Sequence, residues 1–304
     1  MRLRHLIPAL ALMTLAVATG CAAPDSASPA GEGTAEPTAS VGALTKDEAA
    51  AAMLPADIKS SGVVRVASGV SFPPMEFFDT DNKTVLGFDA DLGRALGQVL
   101  GVEFRFENTN FDGIIGGLNA GRYDLALTSM IDKKERQETV DFVDYLSSGV
   151  TFMVEKGNPD DLSDKRDLCG RTVAVEKAST GDLTADDISK ECTDAGEPAV
   201  KKQPFPDQAS AVQALQSGRA DAVLALDLTL AYNVKQDPES FEIAAKPFGA
   251  LPIGIPVPKD KPELRDAVQA ALLEVIESGT YDDLLAKWNL TDQALKGAPI
   301  NQGT

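Results

Sequence analysis

Leu118-Asn119-Ala120-Gly121-Arg122-Tyr123-Asp124 returns later in the chain as Leu215-Gln216-Ser217-Gly218-Arg219-Ala220-Asp221. In each copy a helical run ends at a glycine, the residue that adopts the left-handed conformation at a helix C-terminus without steric cost. An aspartate then leads into a short apolar stretch. Both copies read as helix, glycine stop, strand. The chain therefore reads as two similar α/β units, although helix-glycine-strand is a common junction that chance also produces.

The pattern around the first copy agrees. Val63-Val64-Arg65-Val66-Ala67 reads as a buried strand, and Phe88 to Leu100 carries apolar residues at a helical period. Val102 to Phe106 alternates as a strand, Phe111 to Ala120 reads as a helix, Tyr123 to Leu127 as a strand, and Lys133 to Thr139 as a polar helical turn. Around the second copy, strands are expected at Gly149 to Val154, Arg171 to Val175, near Val200 and at Ala222 to Leu226. Helices are expected at Thr180 to Cys192, Asp207 to Gly218, Leu228 to Gln236, Glu263 to Glu277 and Thr280 to Trp288, with an extended segment at Pro252 to Val257. This alternation predicts an α/β fold with parallel-rich sheets covered by helices.

The chain has 304 residues, enough for two domains, and its 43% hydrophobic content supports a sizeable core. With 46 acidic against 28 basic residues the formal charge is -18. Such a surface repels nucleic acid and anionic lipid, so neither is expected as a direct partner.

The N-terminus is a separate object. Arg2, Arg4 and His5 precede an apolar run from Leu6 to about Val17, then Ala18-Thr19-Gly20 and Cys21. Residues 1–20 read as an export signal, too short for a comfortable transmembrane helix. The stretch resembles a bacterial lipoprotein signal with Cys21 as the lipidated residue, although Ala18 stands where leucine is usual. An ordinary secretory signal with a chance cysteine is the alternative. Residues 21–45 are rich in Ala, Ser, Pro, Gly, Thr and Glu and read as a flexible tether. No later run is long and apolar enough to span a bilayer. The protein is thus expected outside the cytoplasm, held to the membrane through lipid only.

His5 is the only histidine, so removal of the signal excludes Ser-His-Asp and Cys-His chemistry and histidine zinc sites. No catalytic residue, metal or cofactor is expected. The remaining cysteines, Cys169 and Cys192, suggest a disulfide in an oxidising compartment; two buried thiols are the alternative.

A set of motifs in fixed order then names a family. It comprises Phe72-Pro73-Pro74-Met75-Glu76-Phe77, Gly87-Phe88-Asp89-Ala90-Asp91-Leu92, Asn110-Phe111-Asp112-Gly113-Ile114-Ile115 and Gly121-Arg122-Tyr123-Asp124-Leu125. Ser129-Met130-Ile131-Asp132-Lys133-Lys134-Glu135-Arg136 is the most specific, followed by Val140-Asp141-Phe142-Val143-Asp144-Tyr145, Gly218-Arg219-Ala220-Asp221-Ala222 and Gly279-Thr280-Tyr281. From about Ser61 to Trp288 the chain resembles solute-binding protein family 3, the polar amino-acid-binding components of ABC importers. The resemblance implies a type II periplasmic-binding-protein-like fold: two α/β lobes, two hinge strands and a ligand cleft between the lobes. Lobe 1 would be residues 46–149 and 249–304, and lobe 2 residues 150–248. It also implies a monomer that captures a small ligand by hinge closure and hands it to an ABC permease with its ATPase.

The resemblance further implies a ligand site. Arg136 matches the arginine that grips the ligand carboxylate through two prongs, a geometry lysine cannot supply. Ser179 and Thr180 precede a helix, where hydroxyls and free N–H groups form an anion site; ordinary N-capping is the bland reading. Thr128, Ser129 and Met130 follow a strand and match ligand-facing positions. Phe72 and Phe111 match positions that flank the ligand side chain, with core packing as the alternative. The anion for a ligand ammonium departs from the pattern. Gly69 stands at one family aspartate position, and Leu226 at the other, with Asp227 one residue late. Asp227 is the expected ligand residue if the register shifts by one, and Glu76 is a substitute anion. Ile131 stands where a hydroxyl residue is frequent. Two other functions stay open: a cyclohexadienyl-dehydratase-like enzyme using Glu76 or Asp227 as general acid, and a receptor module presenting ligand to a sensor.

Overall fold

The structure is a computed structural model and describes residues 42–304. The expected signal, Cys21 and most of the expected tether lie outside the described residues. At the tether's end, Leu44 packs against the core and its N–H donates to Gln98 Oε1 at 2.7 Å.

Strand β1 (Val63–Ser68) opens the first sheet, and a small antiparallel pair, β2 (Phe77–Phe78) and β3 (Val85–Leu86), follows. β1 lies between β4 (Glu103–Asn108) and β5 (Leu125–Ala126) and is parallel to both. Parallel neighbours need crossovers, and the helices Phe88–Leu100 and Ile114–Asn119 supply them. The predicted helix Phe111 to Ala120 is in fact a 3-10 turn, Phe111–Gly113, followed by the short helix Ile114–Asn119. Gly113, Gly116 and Gly117 weaken this segment as a continuous helix.

β6 (Val140–Glu155) is one strand of 16 residues, longer than the strand expected at Gly149 to Val154. β7 (Thr172–Glu176), β8 (Lys201–Phe205), β9 (Ala222–Leu226), β10 (Phe241–Ile243) and β11 (Phe248–Pro258) complete the second sheet. Its order is β10-β6-β9-β7-β8, with β11 also on β6. β7 is parallel to β8 and β9, whereas β6 is antiparallel to β9, β10 and β11. The first part of β6 pairs with β11 and its end pairs with β9 and β10. These two long strands carry the chain from one lobe to the other and back. Gly149 sits inside the strand where β11 crosses closely: a Cβ there would lie 3.1 Å from the Phe248 carbonyl oxygen. The missing side chain permits the pairing instead of ending the strand.

Helices Pro262–Glu277 and Thr280–Trp288 return to the first lobe and bury Leu264, Val268, Leu272 and Leu284. The final residues run along β6. Asp144 N–H donates to the Pro299 carbonyl, and Gly303 N–H to Asp132 Oδ2 at 2.7 Å. In the second lobe Cys169 and Cys192 form the expected disulfide, which ties the turn Lys165–Leu168 to the helix Thr180–Asp194.

Candidate functional site

The strand ends of both lobes face one cavity, as expected for open α/β sheets. Gly69, Phe72, Glu76, Phe111, Thr128 and Ser129 line it from the first lobe. Glu176, Ser179, Thr180, Gly181, Gln208, Ala225 and Leu226 line it from the second. About 370 Å³ of empty space lies among them, mouth included.

Several contacts cross the cleft and hold it closed. Arg136 Nη2 donates to the Ala178 carbonyl at 3.1 Å, and Thr229 Oγ1 to the Pro73 carbonyl at 2.6 Å. Lys177 pairs with Asp112, and the Phe77 and Tyr232 rings lie 6.4 Å apart.

The floor in the first lobe is a buried polar network. Thr128 Oγ1 accepts from the Gly69 N–H and donates to Glu76 Oε1, each at 2.9 Å. Asp89 Oδ2 accepts from both the N–H and hydroxyl of Ser129, and Asp89 Oδ1 from the Tyr145 hydroxyl. Ser129 adopts φ +49°, a left-handed conformation that aims its N–H at this carboxylate. Burial pushes both Glu76 and Asp89 above the ordinary carboxylate range, Glu76 further. Desolvation and the neighbouring Asp89 carboxylate are what raise Glu76, whose Oε2 has no hydrogen-bond partner.

Arg136, on the short helix Lys134–Gln137, is 6% exposed. Its Nη1 donates to the Ile131 carbonyl at 2.8 Å, and its guanidinium stacks 5.6 Å from the Phe111 ring centre. Both hydrogen-bond acceptors are neutral carbonyls from opposite sides of the cleft. No carboxylate pairs with it among the described residues, and burial lowers its pKa to about 10. A desolvated cation without an anion is costly, and the rest of its donor fork is unengaged.

In the second lobe Ser179 caps the helix Thr180–Asp194, its hydroxyl accepting from the Asp182 N–H. The N–H groups of Thr180 and Gly181, in the first turn, have no intrahelical acceptor. The Ser179 cap uses the Asp182 N–H and leaves these two donors open.

The structure thus brings Phe72, Phe111, Thr128, Ser129, Ser179 and Thr180 to the cavity wall. Arg136 stands behind Phe111. Met130 is packed away from the cavity, among Ala67, Ile114 and Phe142. Asp227 points toward the hinge, where it accepts hydrogen bonds from the Ser148 hydroxyl and the Leu228 N–H; Leu226 lines the cavity instead. Glu176 and Gln208 were missed. Glu176 ends a strand at period two from Ala174, and both look in sequence like ordinary surface residues.

The chain from residue 64 to 291 matches the model of the bacterial extracellular solute-binding proteins, family 3. It is 30% identical over 254 residues to an arginine-binding protein of Corynebacterium glutamicum, covering 83% of this chain and 82% of that one. It is 27% identical to an L-cystine-binding protein of Escherichia coli, covering 76% and 84%. An ancestral arginine-binding protein bound to arginine superposes with a TM-score of 0.69 at 36% identity, covering 75% of this chain and 98% of the other. An ancestral arginine-binding protein bound to glutamine superposes with a TM-score of 0.69 at 35% identity, covering 75% of this chain and 98% of the other. Closed two-lobed architecture, a cavity at the strand ends and a match over most of the chain agree: this protein belongs to the bacterial extracellular solute-binding proteins, family 3.

Proposed function

We propose that the protein captures one free amino acid between its lobes outside the cytoplasm and delivers it to an ABC permease served by an ATPase. Arg136 carries this reading. It is a buried, fork-shaped cation with no ion-pair partner among the described residues, held at the closing seam by carbonyls of both lobes. A ligand carboxylate supplies the missing anion, aided by the free N–H groups at Thr180 and Gly181. Ligand then favours the closed state because only that state places both lobes against it. Relatives named for arginine and cystine, and neighbours solved with arginine and with glutamine, support an amino acid as the class.

The moving units we assign are residues 46–149 with 249–304, and residues 150–248, in a monomer. Cys21 is the proposed lipid anchor, tested by detergent partition and mass spectrometry of the exported protein and its Cys21→Ser variant. Binding proceeds without turnover, so ligand recovered from the protein is chemically unchanged.

Thermal unfolding against the twenty amino acids tests the function. Ligand at 100 times its dissociation constant stabilises the fold by about 2.7 kcal/mol. A large shift with one or a few amino acids, lost in Arg136→Ala, is expected. Folded protein that responds to none of them, or that dehydrates a cyclic carboxylic acid, would overturn the reading.

A further inference from the structure

The cavity holds two acids, and only one is engaged. Glu76 accepts from the Thr128 hydroxyl through Oε1. Glu176, the last residue of β7, is 4% exposed, yet it makes no hydrogen bond and no ion pair among the described residues. Beside it in the cavity wall, Gln208 is 1% exposed and has neither its amide oxygen nor its amide nitrogen bonded. Both side chains are buried polar groups without partners, and each carries a full desolvation cost. Nothing in the fold uses them. Caps do not explain Gln208 either, because Asp207 caps its helix.

Among the described residues no cation pairs with Glu176. Asp207, Asp112 and Glu76 are the charges that bear on it, all negative, and burial with these acids pushes its carboxyl up to about 8. The neighbouring Lys177 is turned outward to Asp112. Arg136, the buried cation of the seam, donates to the Ile131 and Ala178 carbonyls, stacks on Phe111 and does not pair with Glu176.

Charge matching then selects the ligand. Arg136 offers a cation to a ligand carboxylate, Glu76 offers an acid in the cavity floor, and Glu176 is a second acid with no ion-pair partner among the described residues. A carboxylate and an α-ammonium balance the first two. A third, cationic group balances the last. We propose that Glu176, with the Gln208 amide oxygen as second acceptor, is the specificity-determining site for a cationic side-chain head, guanidinium or ammonium, so that the ligand is a basic amino acid. The flat faces of Phe72 and Phe111 in the same wall suit the aliphatic stem and a planar head. This inference rests on the amino-acid reading above.

Calorimetric titration of the purified protein, freed of bound ligand by denaturant and refolded, tests it with arginine, lysine, citrulline and glutamine. Citrulline is the uncharged isostere of arginine. Wild type is expected to bind arginine or lysine at least about tenfold more tightly than citrulline, the scale of one charge-assisted hydrogen bond. Glu176→Gln removes that preference or inverts it. Gln208→Glu, a second variant, strengthens it. Equal binding of arginine and citrulline by wild type overturns the inference while leaving the amino-acid reading intact. So does a uniform loss for all four ligands in Glu176→Gln, which would place the α-ammonium there. Absence of binding by every amino acid overturns both readings.

Discussion

Lys177 Nζ lies 2.8 Å from Asp112 Oδ2, an ion pair that joins the end of β7 in one lobe to the turn Phe111–Gly113 in the other. It exists only when the cleft is closed. Lys177 is well exposed and water screens the pair, so Lys177→Ala is expected to weaken binding by less than about fivefold. The loss appears in the dissociation rate, because encounter occurs with the open form. Stopped-flow kinetics at low and high salt check this, and the difference between variant and wild type shrinks as salt rises.

Arg136→Lys keeps the charge and removes the planar fork. One ammonium cannot hold the Ile131 and Ala178 carbonyls and also grip a carboxylate by two parallel bonds. Affinity is expected to fall at least about tenfold, with the thermal midpoint of ligand-free protein little changed. Titration calorimetry separates this from a structural role, in which the midpoint would fall and affinity would hold.

Glu176 links cavity chemistry to stability through pH. Its folded pKa, about 8, is above the ordinary value of 4.5. Below about pH 4.5 both folded and unfolded chains carry the proton, and between there and 8 only the folded chain keeps it. Stability is therefore penalised progressively over that window and by a constant amount above it. Glu176→Gln abolishes the penalty. Ligand-free variant and wild type are expected to melt alike near pH 4.5 and to diverge toward pH 8.5, the variant being more stable by a few kcal/mol at most. A gap that is independent of pH would show that Glu176 does not titrate in this range.

Gly181 is both a wall residue and a packing requirement. A Cβ there would meet the Leu224 carbonyl oxygen on β9. Gly181→Ala must push the helix Thr180–Asp194 off the sheet, which is expected to cost about 1–3 kcal/mol and to displace Thr180 from the cavity. Denaturant unfolding and ligand titration of the same sample measure both effects.

The Cys169–Cys192 bridge closes a loop with a sequence separation of 23. The chain-entropy model assigns such a loop about 3 kcal/mol. Replacing both cysteines by serine is expected to lower the melting temperature by roughly 6–12 °C for a domain of this size. Binding at 25 °C should persist, because neither cysteine lines the cavity.

The sequence by itself determined the two-unit plan. The repeated helix-glycine-strand junction, the helical period of Phe88 to Leu100 and the buried strand Ala222 to Leu226 all stand where they were read. These features are local: period and glycine chemistry act within a few residues. Motif order also marked Phe72, Phe111, Ser129 and Thr180 as wall residues. Tertiary structure alone decided what depends on distant partners. β6 is continuous because β11 crosses it at Gly149, and no pattern inside β6 records that partner. Asp227 faces Ser148 on the hinge while Leu226 faces the cavity, because adjacent residues at the junction of a strand and a helix diverge in direction. Glu176 and Gln208 become exceptional only through what surrounds them, burial without a partner, which is a property of the packed lobes and not of either residue.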